Sequence, residues 1–126
     1  MSIDREYVSR DPLIFGRIAA TVPVTDLARA LRFYTDVVGL QKTAEANGVV
    51  VLKRDAAELH LVHAAGHVAT DRLVAHLLVS DAQRLYDHLI DGRAAIVTGM
   101  RDTHSGQRAF VFADPDGNRI DVGERV

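Results

Sequence analysis

The chain has 126 residues, 48% of them hydrophobic and 25% charged, with a formal net charge of −2, which suits one ordinary domain and is too short for two. The near-neutral balance without a basic patch argues against nucleic acid as a partner, and the lack of cysteine removes disulfides, thiolate metal ligands and a cysteine nucleophile. The opening stretch MSIDREYVSRDPLIFGR mixes charges among its apolar residues, so it reads as neither a secretory signal nor a membrane span, and a cytoplasmic protein is expected.

Residues 1–16 are expected to form an arm, irregular or briefly helical up to Asp11-Pro12, where proline discourages a helix from continuing. A single domain over 17–126 follows. In IAATVPVTDLARALRFYTDVVGL, a strand leads into a helix whose apolar stripe is Leu27, Ala30, Leu31, Tyr34 and Val38; Thr25 or Asp26 caps its start and Gly39 stops it. Alternation on the strand puts Ala19, Thr21 and Pro23 on one face and Ala20, Val22 and Val24 on the other, toward the helix. Strand-like stretches are expected over about 40–45, 48–53 and 57–64.

The same grammar then repeats. LVAHLLVSDAQRLYDHLIDG gives a strand ending at Val79, a cap at Ser80 or Asp81, a stripe of Ala82, Leu85, Tyr86 and Leu89, and a stop at Gly92. The offset is 79 − 24 = 55, and further strands are expected over about 94–99, 107–113 and 118–123. In the last pair of strands Asp55 and Asp116 fall in corresponding turns, which matches His60 with Asp121 at an offset of 61. The second of those turns, ADPDGN, combines Pro115, Gly117 and Asn118 as a hairpin former. The chain is therefore an α+β protein of two βαβββ repeats, about 17–64 and 72–124. Each repeat has one sheet face under its helix and one bare, so two units must pair, within or between chains, to enclose a cavity.

A duplicated βαβββ with the VPVTDLARALRFYTDVVGL stretch and the FADPDGNRIDVGE ending resembles the vicinal oxygen chelate superfamily, which includes glyoxalase I, extradiol dioxygenases, fosfomycin-inactivating enzymes, methylmalonyl-CoA epimerase and bleomycin-resistance proteins. The resemblance covers residues 17 to 124 and implies the glyoxalase/bleomycin-resistance fold, with mixed sheets enclosing a cavity; this fold hosts unrelated chemistries. It also implies four metal-ligand positions, on the first and last strand of each repeat, which fall here on Ala19, Val74, His60 and Asp121. Two of these cannot bind metal. One imidazole and one carboxylate leave most of a divalent ion's shell to other groups, and in the subunit-sharing arrangement each site would keep His60 from one chain and Asp121 from the other. Of the dioxygenase-type triad only Asp121 survives.

The other polar residues each carry two readings. His76, in an otherwise apolar strand, is either a satisfied or partly exposed imidazole or a ligand contact. His60 faces the cavity with Glu58 and Val62, and Glu58, beside the turn, is expected to be solvated; His63, His67 and Asp71 flank the connection between repeats and are expected to be exposed. In the loop GMRDTHSGQRAF, His104 and Arg108 are candidates for an anionic or oxygen-rich ligand, unless Arg108 pairs with Asp102 or Asp116 at the surface. Phe110 and Phe112 share a face as core or cavity wall, and Phe110 is counted among the ligand-binding candidates. Nucleophile-elbow, phosphate-loop and dinucleotide motifs are absent, and the Ser-His pair in THSG has no third member.

The expectation is a homodimeric small-molecule binding protein of the bleomycin-resistance type with no cofactor, whose ligand sites are His60, His76, His104, Arg108, Phe110 and Asp121. A cationic glycopeptide would call for an acidic, aromatic cleft, which 6% aromatics and the charge balance do not supply. The competing expectation is a metal-dependent lyase, isomerase or dioxygenase with a divalent metal on His60 and Asp121.

Overall fold

The computed structural model describes residues 12–124, so most of the expected arm lies outside it. The elements run β1 (Ala20–Val24), α1 (Leu27–Arg32) continuing as a π-helical turn (Phe33–Val38), β2 (Gln41–Ala46), β3 (Val49–Arg54), β4 (Ala57–His63), β5 (Leu73–Val79), α2 (Ala82–Asp91), β6 (Ala95–Asp102), β7 (Arg108–Ala113) and β8 (Arg119–Glu124). They form two four-stranded sheets, ordered β1-β4-β3-β2 and β5-β8-β7-β6. In each, the first strand runs parallel to the last and the remaining pairs are antiparallel. This is the α+β pair of βαβββ units read from the sequence. The two sheets do not close on each other.

Local chemistry sets the helix ends. Asp26 and Asp81, not Thr25 and Ser80, are the N-caps: their carboxylates accept the backbone N–H of Arg29 and of Arg84, each at 3.0 Å. The first helix departs from the single α-helix that the stripe suggests. Thr35 donates its hydroxyl to the carbonyl of Leu31 at 2.7 Å, competing with the regular backbone ladder, and the chain widens into a π turn that still buries Tyr34 and Val38. Gly39 closes it at φ +101°, a left-handed conformation open to glycine at little cost.

One hydrophobic core runs beneath both helices, from Val22, Val24, Leu52 and Leu61 in the first repeat to Phe110, Phe112, Ile120 and Val122 in the second. Phe110 is fully buried, its ring edge-on to Tyr86 of α2 at a centroid distance of 5.1 Å. It is therefore core, and its expected ligand contact is corrected: Phe110 faces the helix because its neighbours Ala109 and Val111 occupy the other side of the strand.

The ADPDGN turn joins the repeats. The buried Asp114 carboxylate accepts the backbone N–H of Asp116 (3.0 Å) and of Asn118 (2.9 Å), the Asn118 side-chain amide (2.9 Å) and the hydroxyl of Tyr34 in the first repeat (2.9 Å). Asn118 also donates to the Pro23 carbonyl in β1 at 2.9 Å, which leaves its oxygen to accept from His67 Nε2 at 2.8 Å. His67 is thus a half-buried anchor of the connection between repeats, where simple exposure was expected. Asp116 accepts from the Thr25 backbone at 3.1 Å and from its hydroxyl at 2.6 Å, and Arg29 adds a contact at 3.3 Å. Burial and the Asp114 charge push the Tyr34 hydroxyl far above the usual tyrosine range.

Candidate functional site

Because each helix covers one side of its sheet, the functional question concerns the other side. Cross-strand partners share a face, so the register assigns it. On the first sheet the open side carries Thr21 of β1, Glu58, His60 and Val62 of β4, and Val49, Val51 and Lys53 of β3. On the second it carries Leu73, His76 and Leu78 of β5, Arg119, Asp121 and Gly123 of β8, Ala109, Val111 and Ala113 of β7, and Thr98 and Arg101 of β6.

Each open side is organised around one carboxylate. Glu58 accepts from His60 Nε2 at 2.7 Å, and Lys53 and Arg17 each approach it at 3.8 Å. The hydrogen bond from His60 holds the Glu58 carboxyl below the usual range against partial burial, with Lys53 and Arg17 adding to the effect. The expectation that Glu58 is merely solvated is corrected: its side chain is only 16% exposed, less than any of the three groups around it.

On the second sheet, His76 sits opposite Asp121 in the parallel register. Its Nδ1 lies 2.6 Å from Asp121 Oδ2, an ion pair when the imidazole is protonated. Arg101 reaches across from β6 to within 3.9 Å of Asp121 Oδ1, an atom that is buried and accepts no hydrogen bond among the described residues.

The sequence-derived candidates divide. His60, His76 and Asp121 lie on open sides in the two clusters. Arg108 does not: it shares the helix-facing alternation of Phe110, and its Nη1 donates to Gln83 Oε1 on α2 at 3.2 Å, so neither ligand contact nor pairing with Asp102 or Asp116 describes it. His104 is exposed in the loop between β6 and β7 and takes no part in either cluster. Ala19 directly precedes β1, while Val74 sits in a register shift between Leu73 and Ala75 and packs against the core, so it does not share the open side with His76.

Arg17, Lys53 and Arg101 were missed. Lys53 was within reach of sequence reasoning, since β3 and β4 form a tight hairpin that pairs it with Glu58. Arg101 was not. Thr98 pairs with Val111 and Arg101 with Ala109, three residues on β6 against two on β7, and this irregularity brings Arg101 to the side that strict alternation assigns to Met100.

Among the described residues no three His, Asp or Glu side chains converge to hold a metal ion. A shallow groove between the repeats, lined by Val38, Leu40, Arg54, Leu77, Arg84 and His88, contains neither cluster. No described helix is long and apolar enough to cross a membrane.

Comparison with solved structures shows the same fold in proteins of low identity. A glyoxalase/bleomycin resistance protein/dioxygenase superfamily member from Sphaerobacter thermophilus superposes with a TM-score of 0.75 at 23% identity, over 89% of this chain and 98% of that one. TioX from Micromonospora sp. ML1 gives 0.76 at 15% identity, over 89% and 100%. Lactoylglutathione lyase from Agrobacterium tumefaciens gives 0.71 at 19% identity, over 89% and 95%. Comparison with curated proteins by sequence finds no match. The family model of the Glyoxalase/Bleomycin resistance protein/Dioxygenase superfamily matches residues 15–122, nearly the whole chain, and the protein belongs to that superfamily.

Proposed function

We propose that the protein is a cytoplasmic small-molecule binding protein that works as a homodimer, holding its ligand against the open sides of its sheets without a tightly bound metal. The observation that carries this reading is the fate of the four superfamily ligand positions. Ala19 and Val74 offer no donor atom, His60 is hydrogen-bonded to Glu58, and Asp121 is paired with His76. What is left is a polar pair on each of two partly apolar faces, the usual composition of a binding site.

One feature favours the enzymatic alternative, a metal-dependent lyase, isomerase or dioxygenase. Asp121 Oδ1 is buried with no hydrogen-bond donor, and a cation shared with His60 of a second subunit would satisfy it. Metal analysis of protein purified without chelator separates the two readings. The binding reading expects metal well below one ion per chain, unchanged in Asp121→Asn and in His60→Ala. Stoichiometric metal in the wild type, lost in both variants, would establish the enzyme instead.

A further inference from the structure

The proposed binding reading leaves the ligand's chemistry open, and the layering of charge on the open sides bears on it. By register, the charged residues of the first open side are Lys53, Glu58 and His60, joined by Arg17 from the segment before β1; those of the second are His76, Arg101, Arg119 and Asp121. With neutral imidazoles the sums are 2 − 1 = +1 and 2 − 1 = +1, in a chain whose total is −2. The local sign is opposite to the protein's own.

Depth sharpens the contrast. The carboxylates lie low, with side-chain exposures of 16% for Glu58 and 17% for Asp121, while Arg17 at 52%, Lys53 at 40%, His76 at 57% and Arg101 at 45% stand above them. Arg17, Lys53 and Arg101 approach their carboxylate only at 3.8–3.9 Å, beyond hydrogen-bonding distance, so their N–H donors remain available. A molecule arriving from solvent meets donors and positive charge first. Val49, Val51 and Val62 on one side, and the exposed Leu73 and Leu78 on the other, supply apolar surface beside them.

Resting on that binding reading, we infer that the ligand is a small amphiphilic carboxylate, its apolar body lying on the valine surface of one sheet or the leucine surface of the other and its anionic group received by Lys53 and Arg17 on the first or by Arg101 on the second. Arginine's planar fork matches a carboxylate in two parallel hydrogen bonds, which suits Arg101 to this role. Glu58 and Asp121 then hold the cations in place rather than touch the ligand.

Three probes that differ in charge alone on one aromatic ring test the inference: benzoate, benzyl alcohol and benzylamine, each titrated into the full chain while backbone amide NMR signals are followed. Benzoate is expected to shift the signals of the open-side strands β4 and β8 and to bind at least fivefold more tightly than benzylamine, with the preference shrinking as salt rises. Arg101→Gln and Lys53→Gln together are expected to abolish it. Binding of benzylamine or the alcohol at least as tight as that of benzoate would overturn the charge inference and leave the binding site standing. Open-side signals that respond to none of the three would overturn both.

Discussion

Replacing Tyr34 with phenylalanine isolates one of the bonds that tie the two repeats together. The change removes one oxygen from a fully buried side chain and leaves the ring in place, so no cavity of consequence opens. What disappears is a 2.9 Å hydrogen bond to a charged acceptor, Asp114. Such bonds contribute about 1.5–3 kcal/mol. Because the Asp114 carboxylate keeps its other donors, the Asp116 and Asn118 backbone N–H groups and the Asn118 amide, the lower end applies, about 1.5–2 kcal/mol. For a chain of this length that corresponds to roughly 6–8 °C in Tm. A second signature is specific to the hydroxyl. Its pKa is raised in the folded state, so the folded chain keeps the proton where the unfolded chain releases it. The stabilisation is present in full below the unfolded tyrosine pKa of about 10 and falls by about 1.4 kcal/mol per unit as pH rises beyond it. Urea unfolding at neutral pH and at several alkaline values measures both. Tyr34→Phe should be less stable at neutral pH and should lose less stability than the wild type on the alkaline side. A neutral-pH difference below about 0.5 kcal/mol, or parallel alkaline limbs, would refute the assignment of Tyr34 as a joint between the repeats.

Glu58→Gln should show the opposite pH signature. The Glu58 pKa is lowered in the folded state, first by the His60 hydrogen bond, so its stabilising effect is present above the unfolded value of 4.5 and lost as pH falls through the folded one. The wild type should therefore melt above the variant near neutrality, and the gap in Tm should close on acidification; a gap independent of pH would mean that the carboxylate charge contributes nothing. Light scattering should give twice the chain mass of 13.8 kDa, because Leu13 and Phe15, each 86% exposed, and Ile18, 99% exposed, leave a large apolar surface ahead of β1. A concentration-independent monomer mass would remove the dimer from the proposal.

The fold was legible because its determinants are local and written twice. Asp26 and Asp81 cap equivalent helices, Gly39 and Gly92 end them, and the Pro115–Gly117 turn closes a hairpin in which Gly117 takes φ +89°. The strands expected over 40–45, 48–53, 57–64, 107–113 and 118–123 lie within one residue of their observed bounds, while β6, expected over 94–99, runs on to Asp102 through its irregular register. Long-range bonding was not legible in the same way. Asp114 and Asp116 read as turn residues, yet their carboxylates reach Tyr34 and Thr25, and nothing in a turn's sequence announces a partner some 80 or 90 residues away. The π turn was hidden as well, since the stripe from Leu27 to Val38 fits an α-helix until the hydroxyl of Thr35 takes the carbonyl of Leu31.

For the candidate site the limit was register. Alternation pointed to His60 and His76 and the repeat offset added Asp121, but which group each would meet depended on details that neither carries. The two offsets make Thr21 the counterpart of His76 and His60 the counterpart of Asp121, and Thr21 does sit beside His60 as His76 sits beside Asp121, each couple on parallel strands. With threonine in the first repeat's histidine position, His60 has no acid or base across the strand and turns instead to Glu58, two residues back on its own strand. In the second repeat the acid is on β8, so the imidazole comes from β5. Two diverged copies thus build the same pairing of imidazole and carboxylate by different routes, one along a strand and one across two. Cations flank both pairs through separate local features: the β3–β4 hairpin brings Lys53 and the segment before β1 brings Arg17 to Glu58, and the irregular β6 brings Arg101 to Asp121. Independent routes to one arrangement argue that the arrangement, a shielded carboxylate beneath exposed positive groups, is what both faces share in function.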